Sequence, residues 1–67
     1  MEIDFNGNHT SVLEKQKLDA FLQEQNLLQK KGIAVAVNNK VIPKSIWPEF
    51  ALENQDKVLV IKASQGG

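Results

Sequence analysis

One stretch of this sequence repeats its apolar residues with the period of an α-helix, and that stretch limits the folds open to the chain. Within residues 17–26, Leu18, Phe21 and Leu22 lie at positions i, i+3 and i+4, so they share one helix face. We predict that the apolar surface continues toward a helix stop at Gly32. A single helix can cover only one face of a small sheet, so strands must form the rest of the structure.

Before the helix, the sequence predicts a β-hairpin. Ile3 and Phe5 alternate with polar residues across positions 2–6, which is the two-residue period of a strand with one buried face. Asn6-Gly7 follows, and this dipeptide favours a tight hairpin turn because both residues tolerate a positive φ. We therefore expect a second strand to return through residues 8–13.

After the helix, the sequence predicts a second hairpin, a lid and a central strand. Residues 33–37 form an apolar, β-branched run typical of a buried strand, and Asn38-Asn39 predicts a tight turn into a short edge strand. Residues 45–52, which include Trp47, predict one or two short helical turns packed over the core as a lid. Residues 57–63 predict the last strand, placed centrally in the sheet because its apolar run is continuous.

Together these elements predict an α+β fold. The first and last strands are both apolar enough to lie side by side in the middle of a sheet, although no tight turn joins them. One helix covering one face of a mixed four- or five-stranded sheet is the β-grasp, or ubiquitin-like, roll. We predict that residues 1–63 form this domain and that residues 64–67 form a flexible C-terminal tail.

Composition excludes several classes of function. The 67 residues contain no Cys, no Arg and one His, and eight basic residues balance eight acidic ones. Without Cys there is no disulfide or thiol nucleophile, and one His makes a metal site unexpected. A neutral chain without Arg does not favour nucleic-acid binding. A domain of this size has little room for an enclosed cleft, so we expect no catalytic residues, no bound cofactor and no enzyme activity of its own.

The start of the chain and its apolar runs give an expected location. Glu2 and Asp4 stand where a signal peptide would carry basic residues. The longest apolar runs, 33–37 and 58–61, are far shorter than a membrane-spanning helix. We therefore expect a cytoplasmic protein that does not enter a membrane.

The final residues, Gly66-Gly67, follow closely after the predicted last strand. A frayed terminus is one interpretation, since glycines add nothing to a core. The other is a tail in which Ser64, Gln65 and Gly66 thread into a narrow site of another protein and present the Gly67 carboxylate. A carboxylate needs activation, typically as a mixed anhydride with AMP, before sulfur or an amine can attack it. This chain has no phosphate-binding loop, so a partner would bind the ATP and Mg²⁺.

At these residues the chain resembles the ThiS family, the sulfur carriers of thiamin (thiazole) biosynthesis, and more distantly the small subunits of molybdopterin synthase (MoaD). The most specific part of the resemblance runs from Val35 to Trp47, and the opening residues 3–7 and the final Gly66-Gly67 agree with it. Family members often have Asp-Gly-Asp before the last strand. Here Asn54-Gln55-Asp56 stands in its place, and we expect the Asn to adopt the left-handed conformation.

The resemblance implies a mechanism in which this chain is a protein co-substrate. A ThiF-like enzyme would adenylate the Gly67 carboxylate with ATP. A persulfide derived from a cysteine desulfurase would then supply sulfur, leaving a C-terminal thiocarboxylate. A ThiG-like thiazole synthase would receive the tail and take the sulfur into the thiazole ring.

The last strand also predicts a surface for partner docking. Val58 and Val60 should face the helix, whereas Leu59 and Ile61 should point to the uncovered face and form an exposed apolar patch. Three other functions remain open: a sulfur carrier of the molybdopterin-synthase type, a ubiquitin-like modifier that forms isopeptide bonds to lysines, and a purely structural interaction module.

Overall fold

A computed structural model describes residues 1–62, and within them the chain forms five strands, one α-helix and one 3₁₀ helix. In chain order the elements are β1 (Glu2–Phe5), β2 (Asn8–Ser11), α1 (Leu18–Glu24), β3 (Ile33–Val37), β4 (Lys40–Val41), the 3₁₀ helix (Lys44–Glu49) and β5 (Lys57–Lys62). The strand order is β2-β1-β5-β3-β4. Strands β1 and β5 are parallel, and the other neighbours are antiparallel. The predicted β-grasp roll is confirmed.

Both hairpin turns use the conformation that their sequences predict. Asn6 and Gly7 have φ values of 51° and 88°, and Asn38 and Asn39 have values of 53° and 70°. Positive φ at both central residues is the geometry of a two-residue turn whose twist matches that of the flanking strands. Asn is the side chain that tolerates this region best after Gly, so each turn is determined locally by its own two residues.

Helix α1 begins at Leu18, one residue after the predicted start at residue 17, and ends earlier than expected. Its buried residues are Leu18, Phe21 and Leu22. The predicted stop at Gly32 is wrong because Asn26, at φ 61°, adopts the left-handed conformation first. The Asn26 and Leu27 N–H groups then donate to the carbonyls of Gln23 and Leu22, at 3.0 and 2.8 Å. These two bonds close the helix as a Schellman motif.

The core lies between α1 and one face of the sheet. Phe21 is fully buried at its centre, and its ring meets that of Phe5 edge to face, with the ring centroids 5.0 Å apart. Trp47, on the 3₁₀ helix, is 2% exposed and its Nε1–H donates to the Ile42 carbonyl at 2.8 Å. The predicted lid over the core is therefore confirmed, and the one polar atom of the Trp47 side chain has a hydrogen-bond partner.

The turn before β5 differs from the prediction. Gln55, and not the neighbouring Asn54, adopts the left-handed conformation, at φ 73°. Asn54 instead accepts a hydrogen bond from the Glu2 N–H through Oδ1 at 2.9 Å. The Gln55 N–H donates to the Glu2 carbonyl at 2.7 Å, so the turn is tied to β1 at two points.

Candidate partner-docking face

Strand β5 exposes alternate aliphatic residues on the face of the sheet opposite α1. Val58 is 2% exposed and belongs to the core, and Val60 packs against it. Leu59 and Ile61 are 48% and 46% exposed. The prediction that these two side chains point to the uncovered face is confirmed. Their use in docking remains a prediction.

Three further residues of neighbouring strands extend this apolar surface. In the register of the sheet, Ala36 lies opposite Leu59 and Ala34 lies opposite Ile61. Val41 lies opposite Ala36 on its other side and is 68% exposed. Because paired residues share a face, the five side chains lie on one face of three neighbouring strands, and we call this set the open-face patch. Within it, Ala36 is itself buried, at 8% exposure.

Sequence reasoning missed the contributions of β3 and β4 to this patch. The alternation of Ala and Val along β3 was a usable signal, because it puts small side chains on one face of the strand and larger ones on the core face. Val41 could not be assigned in the same way. Its face follows from its pairing with Ala36, which is a fact of the hairpin register.

The other half of the open face is polar. Glu2 and Asp4 on β1 lie opposite Ser11 and His9 on β2, and Lys57 lies opposite Asp4 on the other side. Nδ1 of His9 is 3.8 Å from Oε1 of Glu2, and the His9 side chain is 82% exposed. This arrangement sets an apolar half, formed by β5, β3 and β4, beside a half with two carboxylates.

A depression of about 320 Å³ lies on this face between the two hairpin turns. Asn6, Asn39 and Leu59 are among the residues that line it. It adjoins the open-face patch and has the volume to receive a side chain of a partner. Across residues 1–62, no group of three or more His, Asp or Glu side chains is placed to hold a metal ion.

The predicted tail residues lie outside the part of the chain that the structure describes. Ser64, Gln65, Gly66 and Gly67 follow Lys62, the last residue of β5, which pairs with Ile33 at the start of β3. The predicted domain limit at residue 63 also lies outside the described residues, so the threading of the tail and the attachment at Gly67 stay predictions. No helix within residues 1–62 is long and apolar enough to cross a bilayer.

The fold of the described residues has counterparts among known proteins. The sequence model of the ThiS family matches residues 1–67. The chain belongs to the ThiS family. The family assignment therefore covers the tail as well as the sheet that precedes it, and the resemblance noted from residues 35–47 is confirmed.

Individual relatives of this ThiS-family chain are distant in sequence and near in fold. The sulfur carrier protein ThiS of Escherichia coli (strain K12) is 25% identical over 67 residues, covering 100% of both chains. A crystal structure of the thiamine biosynthesis protein (ThiS) from Geobacter metallireducens has a TM-score of 0.87 at 20% identity, again covering 100% of both chains. An NMR solution structure of a thiamine biosynthesis protein from Geobacter metallireducens has a TM-score of 0.75 at 19% identity and covers 100% of this chain and 88% of that chain.

Proposed function

We propose that this chain is a sulfur carrier of thiamin (thiazole) biosynthesis that acts in the cytoplasm. The observation that carries the proposal is the match of the ThiS family to residues 1–67, which includes the final Gly66-Gly67. The name of the 25% identical Escherichia coli relative, sulfur carrier protein ThiS, supports the same function. In this proposal the chain is a co-substrate of partner enzymes and has no catalytic residue of its own.

The chemistry takes place at the Gly67 carboxylate. A ThiF-like enzyme binds ATP and Mg²⁺, and a carboxylate oxygen attacks the α-phosphorus, forming the acyl adenylate and releasing pyrophosphate. A persulfide supplied by a cysteine desulfurase displaces AMP and forms an acyl persulfide. A thiol of the partner then cleaves the sulfur–sulfur bond, which leaves the thiocarboxylate on Gly67 and a disulfide on the partner side. A ThiG-like thiazole synthase uses this sulfur.

The folded domain supports this chemistry by presenting the tail. Strand β5 lies in the middle of the sheet between β1 and β3, and its last residue, Lys62, pairs with Ile33 of β3. The same strand places Leu59 and Ile61 on the open face. A partner that binds the open-face patch therefore contacts the strand that directly precedes the tail, which raises the effective concentration of the tail at the partner's site.

Intact-mass measurement tests the proposal directly. The chain is incubated with the ThiF-like enzyme, ATP, Mg²⁺ and a persulfide donor, and its mass is measured before and after. We expect a gain of about 16 Da, because one carboxylate oxygen is replaced by sulfur. No gain under conditions that convert the Escherichia coli relative would contradict the proposal.

Removal of Gly67 tests the position of the reaction. We expect the shortened chain to lose adenylate formation, measured as ATP–pyrophosphate exchange, and to keep its unfolding midpoint, because a terminal glycine adds no core contact. His9→Ala, which removes an 82% exposed side chain, is the control and should keep both. Adenylation of the shortened chain would show that Gly67 is not the reacting residue.

The same incubations separate the other candidates. Conjugates to lysines that survive a denaturing gel would indicate a ubiquitin-like modifier. A stable complex with the large subunit of molybdopterin synthase, and none with thiazole synthase, would indicate a MoaD-type carrier. Full function after tail removal would indicate a structural module.

A further inference from the structure

Asn6 joins the end of β1 to the outgoing half of β5 through two different groups. Its main-chain N–H donates to the Val58 carbonyl at 2.9 Å. Its side-chain Oδ1 accepts a hydrogen bond from the Val60 N–H at 2.8 Å. One residue therefore makes the last main-chain bond of the β1–β5 ladder and adds a further bond beyond it.

The side-chain bond replaces a rung that the ladder cannot make with main chain alone. The paired register of β1 and β5 stops at Phe5 and Val58, because β1 ends there and Asn6 begins the hairpin turn. In a continuing parallel ladder, the residue that donates to Val58 would offer its own carbonyl to Val60. At φ 51° Asn6 leaves the strand, and its amide oxygen occupies the acceptor position instead.

Val60, whose N–H donates to Asn6, lies in the part of β5 that carries the open-face patch and precedes the tail in the sequence. Val60 stands between Leu59 and Ile61, the two β5 members of the open-face patch, and precedes Lys62 by two residues. Leu59 and Ile61 pair with β3, which holds one edge of β5. On the edge that faces β1, the hydrogen bond from the Val60 N–H to Asn6 holds the part of β5 beyond Val58.

We propose that Asn6 is a positioning residue for activation of the carrier, which holds the outgoing half of β5 so that the patch and the tail meet the adenylating partner together. This inference rests on the proposed function. A strand already held in its bound geometry loses less freedom on docking, so Asn6 improves recognition of the carrier by the partner. The acyl-transfer chemistry itself does not involve Asn6.

The chain offers a matched control at the other end of β5. Asn38 also begins a hairpin turn, at φ 53°, and its Oδ1 accepts a hydrogen bond from the Lys57 N–H at 2.9 Å. Asn6→Gly and Asn38→Gly each keep a residue that tolerates positive φ, and each remove one side-chain acceptor from a β5 amide. Asn38→Gly also removes the hydrogen bond that Asn38 Nδ2 donates to Asp56 Oδ1 at 2.9 Å, so it is the more disruptive change of the two. Only the first of these changes affects the end of the strand that leads to the tail.

Amide hydrogen exchange measured by NMR tests the structural half without any partner. In Asn6→Gly we expect the Val60 amide to exchange roughly tenfold faster, which corresponds to the loss of one hydrogen bond. Asn6→Asp should restore protection, because a carboxylate oxygen accepts the same bond. Asn38→Gly should leave Val60 protected. Unchanged Val60 exchange in Asn6→Gly would overturn the inference.

Steady-state adenylation with the carrier as varied substrate tests the functional half. We expect Asn6→Gly to raise KM roughly three- to tenfold with kcat unchanged, and Asn6→Asp to return KM toward the wild-type value. Asn38→Gly should leave KM unchanged. Equal KM values for the two glycine variants would overturn the positioning role. If the wild-type chain is not adenylated, the proposed function fails instead, and the Val60 exchange data distinguish the two failures.

Discussion

Consecutive aliphatic residues of β5 lie on opposite faces of the sheet and differ greatly in burial. Val58 is 2% exposed beneath α1, whereas Leu59, the next residue, is 48% exposed on the open face. The two side chains have similar chemistry and differ only in what covers them. The inner face has the helix and Trp47 over it, and the outer face has nothing over it within residues 1–62.

This difference separates folding from association on a single strand. Full burial of a Val or Leu side chain stabilises a protein by about 1.5–3 kcal/mol. A domain of this size has a small core and depends on most of its apolar residues for stability. The open-face patch nevertheless leaves Val41, Leu59 and Ile61 largely exposed. Their burial is therefore still available to stabilise a complex, which is what an exposed apolar patch on a small domain indicates.

The largest expected effect comes from breaking the inner face. Phe21→Ala removes a fully buried ring that contacts Phe5, and we expect the free energy of unfolding to fall by about 3–5 kcal/mol. Urea unfolding followed by Trp47 fluorescence measures it. Leu13→Ala, at a 74% exposed position, is the control and should stay within about 0.5 kcal/mol of wild type. A loss below 1 kcal/mol in Phe21→Ala would show that the helix contributes little to the core.

The inner face was predictable because short-range patterns determine most of it. The i, i+3, i+4 spacing of Leu18, Phe21 and Leu22 placed α1 on the core, and each hairpin turn was determined by its own two residues. The helix end was not predictable in this way. Asn26 and Gly32 both adopt positive φ, at 61° and 73°, and local sequence does not decide which of two such residues ends the helix.

The outer face was predicted only along the strand whose alternation could be followed. The alternation along β5 predicts Leu59 and Ile61 on this face, because Val58 and Val60 face the helix. Val41 was missed, because its place on the same surface depends on the register of β4 against β3. Residues brought together by pairing between strands are not neighbours in the sequence, so a one-dimensional pattern does not show them.

A smaller effect is expected from the turn that leads into β5, which belongs to neither face. Gln55→Gly places a residue without a Cβ at φ 73°, and we expect stability to rise by roughly 0.5–1 kcal/mol as the left-handed strain is relieved. Gln23→Gly makes the same substitution inside α1 and should lower stability by about 1 kcal/mol. Thermal unfolding of both variants measures the two changes. The same sign for both would mean that strain at Gln55 is not significant.

The smallest effect on stability, with a large effect on binding, is expected on the outer face. Leu59→Glu adds a charge at a 48% exposed position, so the free energy of unfolding should change by no more than about 0.5 kcal/mol. A docked partner would have to bury that charge, and we expect its affinity to fall at least roughly tenfold. Calorimetric titration with the ThiF-like and ThiG-like enzymes measures the affinity.

Two comparisons show whether that loss belongs to the open-face patch. Ile61→Glu should reproduce it, because Ile61 shares the face with Leu59, and Leu13→Glu should not, because Leu13 is an exposed leucine outside the patch. Unchanged affinity of Leu59→Glu and Ile61→Glu for both enzymes would contradict the docking role. In that case Leu59 and Ile61 would have only a structural role in the sheet. The two faces of β5 would then differ in burial but not in function.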